Sequence, residues 1–207
     1  MEFSLWLSLF SICLLGAMSP GPSLAVVMNN SLQGGRRAGY TAAIAHGAGV
    51  ALYGLLTVTG LAVLIARSPT LFLLIQVSGA AYLIYLGIKS LRSSSGSLPT
   101  GEQNTDDHRG AALSGFLVAF LNPKLAIFML ALFAQFLDPA AGVLEKSIMV
   151  ATVGITDAGW YSLIVALVSH PRFLEKLQRS AQTIDRVFGV ILILLALSVL
   201  LRAGGLV

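Results

Sequence analysis

Long apolar stretches recur along the chain and are separated by short polar or turn-forming clusters. Runs of about 20 apolar residues, the length that crosses a bilayer as a helix, occur at 4–32, 41–66, 70–91, 111–136, 146–169 and 185–203. The one long polar segment, 92–110, lacks apolar periodicity and separates the third run from the fourth. The pattern predicts an all-α integral membrane bundle of six transmembrane helices.

Composition favours the same class of protein. Of the 207 residues, 56% are hydrophobic and only 11% are charged, compared with about 25% charged in soluble domains. The first apolar run is not typical of a secretory signal, because Glu2 is the only charge before it and the apolar character continues past Pro22. We interpret it as a retained first helix. The single cysteine, Cys13, excludes a disulfide framework.

The positions of the basic residues predict the orientation in the membrane, since short loops rich in Lys and Arg stay in the cytoplasm. Nine of the 13 basic residues follow spans one, three and five: Arg36, Arg37, Lys89, Arg92, Arg109, Arg172, Lys176, Arg179 and Arg186. The opposite side has three, Arg67, Lys146 and Arg202. We therefore expect both termini outside the cytoplasm and segment 92–110 inside it. The small, scattered basic excess predicts no nucleic-acid partner.

Three spans in each half predict two inverted repeats, 1–91 and 111–207, within one transmembrane domain covering 1–207. Spans one and four are each interrupted near the middle, by Ser19-Pro20-Gly21-Pro22 and by Asn122-Pro123-Lys124. A proline within a helix removes a backbone donor, and irregular backbone at membrane depth must face protein or a watery cavity. Matched breaks in matched spans indicate a transport site. The alternative is that these prolines are packing kinks.

Each break also predicts the start of a new half-helix. Pro22 and Pro123 suit the first helical position, and Asn122 is a good N-cap. The N–H groups at two such helix ends, together with the helix dipoles, favour an anionic group such as a carboxylate.

Two charged residues, Lys124 and Asp157, fall near the middle of spans four and five. A charge at the bilayer centre costs about 3 kcal/mol on insertion scales, so such groups pair or line a pathway. A structural salt bridge is one interpretation. In the other, Lys124 holds a carboxylate and Asp157 receives an ammonium group or a proton, as a zwitterionic amino acid requires.

Three further residues join these candidates. Trp160 and Tyr161 lie three and four residues after Asp157, where they either cover a bound cation or simply pack. His46 is either a proton-handling group or a satisfied bundle residue. The candidate substrate-binding residues are Ser19, Pro20, Gly21, Pro22, Ser23, Asn122, Pro123, Lys124, Asp157, Trp160 and Tyr161, with Asp157 and His46 as candidates for proton coupling.

The segment from Pro171 to Ile184 has an apolar face opposite a basic one. This pattern is typical of a helix lying on an anionic inner leaflet. It is equally compatible with a cytoplasmic extension of span six.

Known catalytic motifs are absent from the sequence. It has no His-Glu-x-x-His, no Gly-x-Ser-x-Gly, no Walker loop and no dinucleotide-binding glycine pattern. We expect neither an enzyme nor an ATP-driven pump, and no cofactor or metal. Transport would then be driven by a gradient.

Several short motifs, in order and over nearly the whole chain, resemble one family. They are Ser19–Pro22, Gly34–Gly39, Gly79–Gly87, Phe120–Lys124 and Gln135–Pro139. They are similar to the lysine exporter and homoserine/threonine exporter family of small bacterial amino-acid efflux proteins. The resemblance implies a six-helix protein of the bacterial cytoplasmic (inner) membrane, with both termini periplasmic given the charge pattern. It also implies export of an amino acid or a derivative from the cytoplasm, by exchange with protons. Ser19 departs from the family pattern, in which Asn often precedes Pro-Gly-Pro.

Two other functions compete with secondary amino-acid export. A metal-cation exporter on a similar six-helix plan would need several intramembrane carboxylate, His or Cys ligands, and only Asp157 qualifies. A non-transporting membrane scaffold would need neither a cavity nor buried charge. The expected partners are an amino-acid substrate, a proton or another coupling ion, and membrane lipid; homo-oligomer formation stays open.

Overall fold

The computed structural model describes residues 1–92, 108–138, 140–168 and 170–203, and these ranges contain eight α-helices. The helices are α1 (Phe3–Met18), α2 (Pro22–Gln33), α3 (Gly35–Arg67), α4 (Pro69–Leu91), α5 (His108–Phe120), α6 (Pro123–Phe136), α7 (Val143–Leu167) and α8 (Pro171–Ala203). Most of the polar segment 92–110 lies outside the described residues, so its assignment as a loop stays a prediction.

Four of these helices, α3, α4, α7 and α8, are long and apolar enough to cross a membrane. The pairs α1–α2 and α5–α6 meet the same criteria only as pairs, with bends of 61° and 55° at their breaks. The described chain therefore has four spans, or up to six if each bent pair is one span. The predicted helical membrane bundle is confirmed at this level.

The two interruptions lie where the prolines predict them. Ser19 and Gly21 both have extended backbone, and Pro22 then opens α2. Asn122 is also extended, and Pro123 opens α6. Because proline fixes φ and lacks an N–H, it suits the first helical position better than the helix interior. Local chemistry thus places both breaks.

The last helix differs from its prediction. The sequence predicts a span from residue 185, but α8 begins at Pro171 and runs without interruption to Ala203. Leu177 and Ala181 are buried on the face that continues into the membrane-spanning part. The segment before residue 185 is therefore an extension of the last helix, and Asp185 lies well inside it.

Glycines bring two pairs of helices into close contact. A Cβ on Gly47 of α3 would lie 2.8 Å from the carbonyl oxygen of Gly154 in α7, and a Cβ on Gly87 of α4 would lie 2.7 Å from that of Gly189 in α8. Only residues without a side chain fit at such distances. Each of the pairs α3–α7 and α4–α8 joins a helix that precedes residues 93–107 to one that follows them.

Candidate substrate-binding cavity

A cavity of about 310 Å³ lies between the two breaks. This volume is at the lower end of the range for small-molecule sites, about 300–1,000 Å³. Eight of its lining residues come from the breaks themselves or from the first turns that follow them: Ser19, Pro20, Gly21, Pro22, Ser23, Asn122, Lys124 and Leu125. The charged or titratable lining residues are Cys13, His46, Lys89, Lys124, Asp157, Tyr161 and Asp185. The structure thus brings most of the sequence-predicted site residues together.

The start of α2 is one anion-attracting part of this wall. Its N-cap, Gly21, has no side chain to accept a hydrogen bond, and the first intrahelical donor is the N–H of Ala25, which bonds the carbonyl of Gly21. The N–H groups of Ser23 and Leu24 precede that donor and have no acceptor within the helix. This end of α2 therefore presents backbone donors beside the cavity.

The start of α6 is capped differently. The Asn122 side chain accepts hydrogen bonds from the N–H groups of Lys124, at 3.0 Å, and Leu125, at 3.3 Å. The predicted N-cap role of Asn122 is confirmed. Because two donors are already satisfied, what α6 offers to an anion is mainly its dipole and the Lys124 side chain, which lines the cavity.

Asp157 is paired with a histidine rather than with Lys124. Its Oδ2 lies 2.6 Å from Nδ1 of His46, and both residues are buried, at 8% and 2% exposure. The alternative of a structural Lys124–Asp157 salt bridge is not realised among the described residues. The other ring nitrogen of His46, Nε2, is buried and has no hydrogen-bond partner in the described part of the chain. The pair therefore joins α3 to α7 at the cavity wall.

The two aromatic candidates diverge. Tyr161 is buried, lines the cavity and meets the His46 ring edge-on, with ring centroids 5.0 Å apart. Trp160 packs against the apolar cluster that includes Leu24 and Ile164 and does not line the cavity. Pro123 also lies outside the lining. The helix turn that carries Asp157 thus directs only one of its two aromatic residues toward the site.

Asp185 is a cavity residue that the sequence interpretation missed. It is only 4% exposed, and its Oδ1 accepts a hydrogen bond of 2.7 Å from the Ser19 hydroxyl. A signal was available, because Asp185 follows Ala181 by four residues and precedes Phe188 by three, so it lies on the buried stripe of α8. Lys89 and Ser90, at the end of α4, also line the cavity and were not predicted.

The first break allows a direct test of the cavity wall at the start of α2. Changing Pro20 and Pro22 to Ala should favour a continuous helix and withdraw the α2 N–H groups, while leaving membrane insertion intact. A helix end contributes about 1 kcal/mol to anion binding, so ligand affinity should fall roughly fivefold. Binding to detergent-solubilised protein measures this. The control is Pro69→Ala, at the start of α4, and unchanged affinity in the double variant would show that the prolines are only kinks.

A helical membrane bundle with broken helices around a small, charge-lined cavity is typical of small-molecule membrane transporters. The chain matches the LysE type translocator family over residues 14–203 and belongs to that family. The protein is therefore a transporter and not an enzyme, and the family resemblance in the sequence is confirmed.

Individual relatives agree with this assignment. The leucine efflux protein of Salmonella choleraesuis is 34% identical over 158 residues, covering 73% of this chain and 74% of the relative. The uncharacterized membrane protein YrhP of Bacillus subtilis is 25% identical over 197 residues, covering 90% and 94%. No solved structure gives a significant match. With the apolar helices, these bacterial relatives identify a multi-pass inner-membrane protein.

Proposed function

We propose that the protein is a secondary exporter of amino acids, or of close derivatives, that moves its substrate out of the cytoplasm in exchange for protons. The observation that carries the proposal is one cavity, between two broken helices, lined both by Lys124 and by the buried Asp157. The leucine efflux relatives support an amino acid as the substrate.

The charges of the cavity suit the two ends of a zwitterion. The substrate carboxylate would bind at the start of α2, beside Ser23, and at the Lys124 side chain. The ammonium group would then face Asp157, with Tyr161 next to it. Five further lining residues would shape the backbone around the carboxylate: Ser19, Pro20, Gly21, Pro22 and Asn122. Pro123, which lies outside the lining, would fix the start of α6 next to them. Trp160, which packs against the apolar cluster outside the cavity, would hold the helix turn that carries Asp157 in place.

The rest of the wall suits an apolar side chain. Val50, Leu86, Phe128, Met129 and Phe188 all line the cavity, and a hydrophobic wall with few polar groups is how small-molecule sites recognise aliphatic parts of a ligand. Leucine export by the relatives agrees with this chemistry. We therefore propose neutral amino acids with aliphatic side chains as the substrate class.

The His46–Asp157 pair would couple transport to protons. A histidine and a carboxylate at 2.6 Å share a proton-binding site, and a substrate ammonium would compete with a proton for Asp157. Substrate export would be exchanged for proton entry if the ammonium group and the proton occupied Asp157 in turn. The rival metal-cation exporter finds less support, since the described residues contain no group of three or more His, Cys, Asp or Glu side chains able to hold a metal ion.

The architecture proposed with this function is six spans in two inverted repeats, 1–91 and 111–207, with α1–α2 and α5–α6 each counted as one span. The pairing of equivalent helices, α3 with α7 and α4 with α8, supports it. Lys89, two residues before the end of α4, lines the cavity. In the proposed orientation this end is cytoplasmic, so the cavity would face the cytoplasm, where an exporter collects its substrate.

Export from proteoliposomes tests the function. Vesicles loaded with radiolabelled leucine should release it when external acid imposes an inward proton gradient, and collapse of the gradient should stop the release. Lysine, whose charged side chain does not suit the apolar wall, should be released at least tenfold more slowly, as expected when a charge is left without a partner. Gradient-independent or absent release of all amino acids would refute the proposal.

Orientation is tested separately. Reporter tags fused to either terminus should be accessible from the periplasm, whereas a tag inserted between residues 96 and 104 should be accessible only from the cytoplasm. The control is a tagged soluble cytoplasmic protein, whose tag should be inaccessible from the periplasm. A cytoplasmic C-terminus would overturn both the orientation and the inverted repeat.

A further inference from the structure

Asp185 of α8 links two other parts of the cavity wall. Its carboxylate accepts the Ser19 hydroxyl at 2.7 Å, and its backbone carbonyl accepts the Ser90 hydroxyl at 2.6 Å. One residue of α8 is thus bonded both to the unwound segment before α2 and to the end of α4. Removing the donor of such a bond destabilises the folded protein, because the buried carboxylate is left without that hydrogen bond.

The same carboxylate lies among the basic residues of the cavity. Lys124 is within electrostatic range of both Asp185 and Lys89, and all three line the cavity. Asp157, the other carboxylate of the cavity, is paired with His46. Asp185 is therefore the cavity carboxylate whose charge acts on Lys124.

We propose that Asp185 is a positioning residue of the transport site, which holds Ser19 and the unwound segment in place and weakens the hold of Lys124 on the substrate carboxylate enough for release. The inference rests on the proposed function for the identity of the substrate. The physical basis of the proposal is competition. The carboxylate of Asp185 and that of the substrate both interact with the positive charge of Lys124, so the presence of Asp185 lowers the affinity of Lys124 for the substrate.

Two single variants separate the hydrogen bond from the charge. Asp185→Asn keeps an acceptor for Ser19 and removes the charge, so the KM for leucine should fall about threefold or more while the maximal export rate also falls, because release becomes slower. Ser19→Ala keeps the charge and removes the bond, so KM should rise roughly tenfold. A merely structural role of Asp185 would not lower KM.

The matched control is Glu175→Gln, an acidic residue exposed on the same helix and paired with Arg179. It should leave both kinetic constants unchanged. An unchanged or raised KM in Asp185→Asn would overturn the proposal.

A second measurement does not depend on transport. The melting temperatures of Ser19→Ala, Asp185→Ala and the double variant form a cycle, and the two effects should be strongly non-additive if the bond holds the segment in place. Additive effects would overturn the positioning role even if the wild-type protein exports no amino acid. If the wild-type protein exported no amino acid but the cycle were non-additive, the proposed function would be refuted while the positioning role of Asp185 would stand.

Discussion

Changing Asp157 to Asn should abolish export while the protein still inserts and assembles. Asparagine has the same shape and can keep a hydrogen bond to His46 Nδ1, so the contact between α3 and α7 survives. It cannot balance an ammonium group or carry a proton. Removing one partner of a buried charge pair costs about 2–5 kcal/mol, which corresponds to roughly 30-fold to several-thousand-fold. Initial rates of proton-driven leucine release measure the loss.

The control for this variant is Asp138→Asn. Asp138 is exposed after α6, and its side chain accepts the N–H of Ala140, a bond that asparagine also accepts. Export by the control should match the wild type. Near-normal export by Asp157→Asn at equal expression would remove Asp157 from both substrate binding and proton coupling.

Changing Lys124 to Met should weaken leucine binding about 30-fold, since a charge-assisted hydrogen bond to a carboxylate contributes about 2 kcal/mol. Methionine keeps the length and apolar stem of the side chain, and the capping bonds to Asn122 involve only the backbone, so α6 should begin where it does now. Competition by unlabelled leucine for a labelled substrate gives the affinity.

A ligand without a carboxylate makes this test specific. Leucinol has the side chain and the ammonium group of leucine but no carboxylate. It should bind the wild type more weakly than leucine does, and it should bind Lys124→Met with nearly the same affinity as the wild type. Lys176→Met, on the exposed part of α8, is the control for loss of a positive charge. An equal loss for leucine and leucinol would show that Lys124 supports the fold rather than the carboxylate.

The breaks and their caps could be predicted from the sequence because they depend on neighbouring residues. Proline acts on the helix turn that contains it, and Asn122 caps through bonds to residues two and three positions later. Such short-range chemistry is visible in a single sequence. The confirmed predictions, namely the positions of the two breaks and the Asn122 cap, are of this kind.

The partner of Asp157 could not be predicted in the same way. His46 is 111 residues away and reaches Asp157 only because Gly47 and Gly154 let α3 and α7 approach closely. The sequence places Asp157 and Lys124 at similar depths in their spans, but similar depth does not bring two side chains into contact unless their helices also pack together. Asp185 differs, because the apolar run of the last span begins only at residue 185 and so predicts this carboxylate at a helix end, whereas the buried stripe of α8 begins upstream at Leu177.

The depth of Asp157 has an electrical consequence. It lies 14 residues beyond Val143, about 21 Å along a helix that rises about 1.5 Å per residue, in a hydrocarbon layer of about 30 Å. Because the charged Glu145 and Lys146 at the start of α7 stay at the membrane surface, a proton from outside would cross about half of the membrane field to reach Asp157 in the proposed orientation. In the proposed exchange of one proton for one zwitterion, the zwitterion carries no net charge outward, so each cycle would move one positive charge inward. At about 2.3 kcal/mol per charge per 100 mV, the membrane voltage itself would then drive export, even when the pH is equal on both sides.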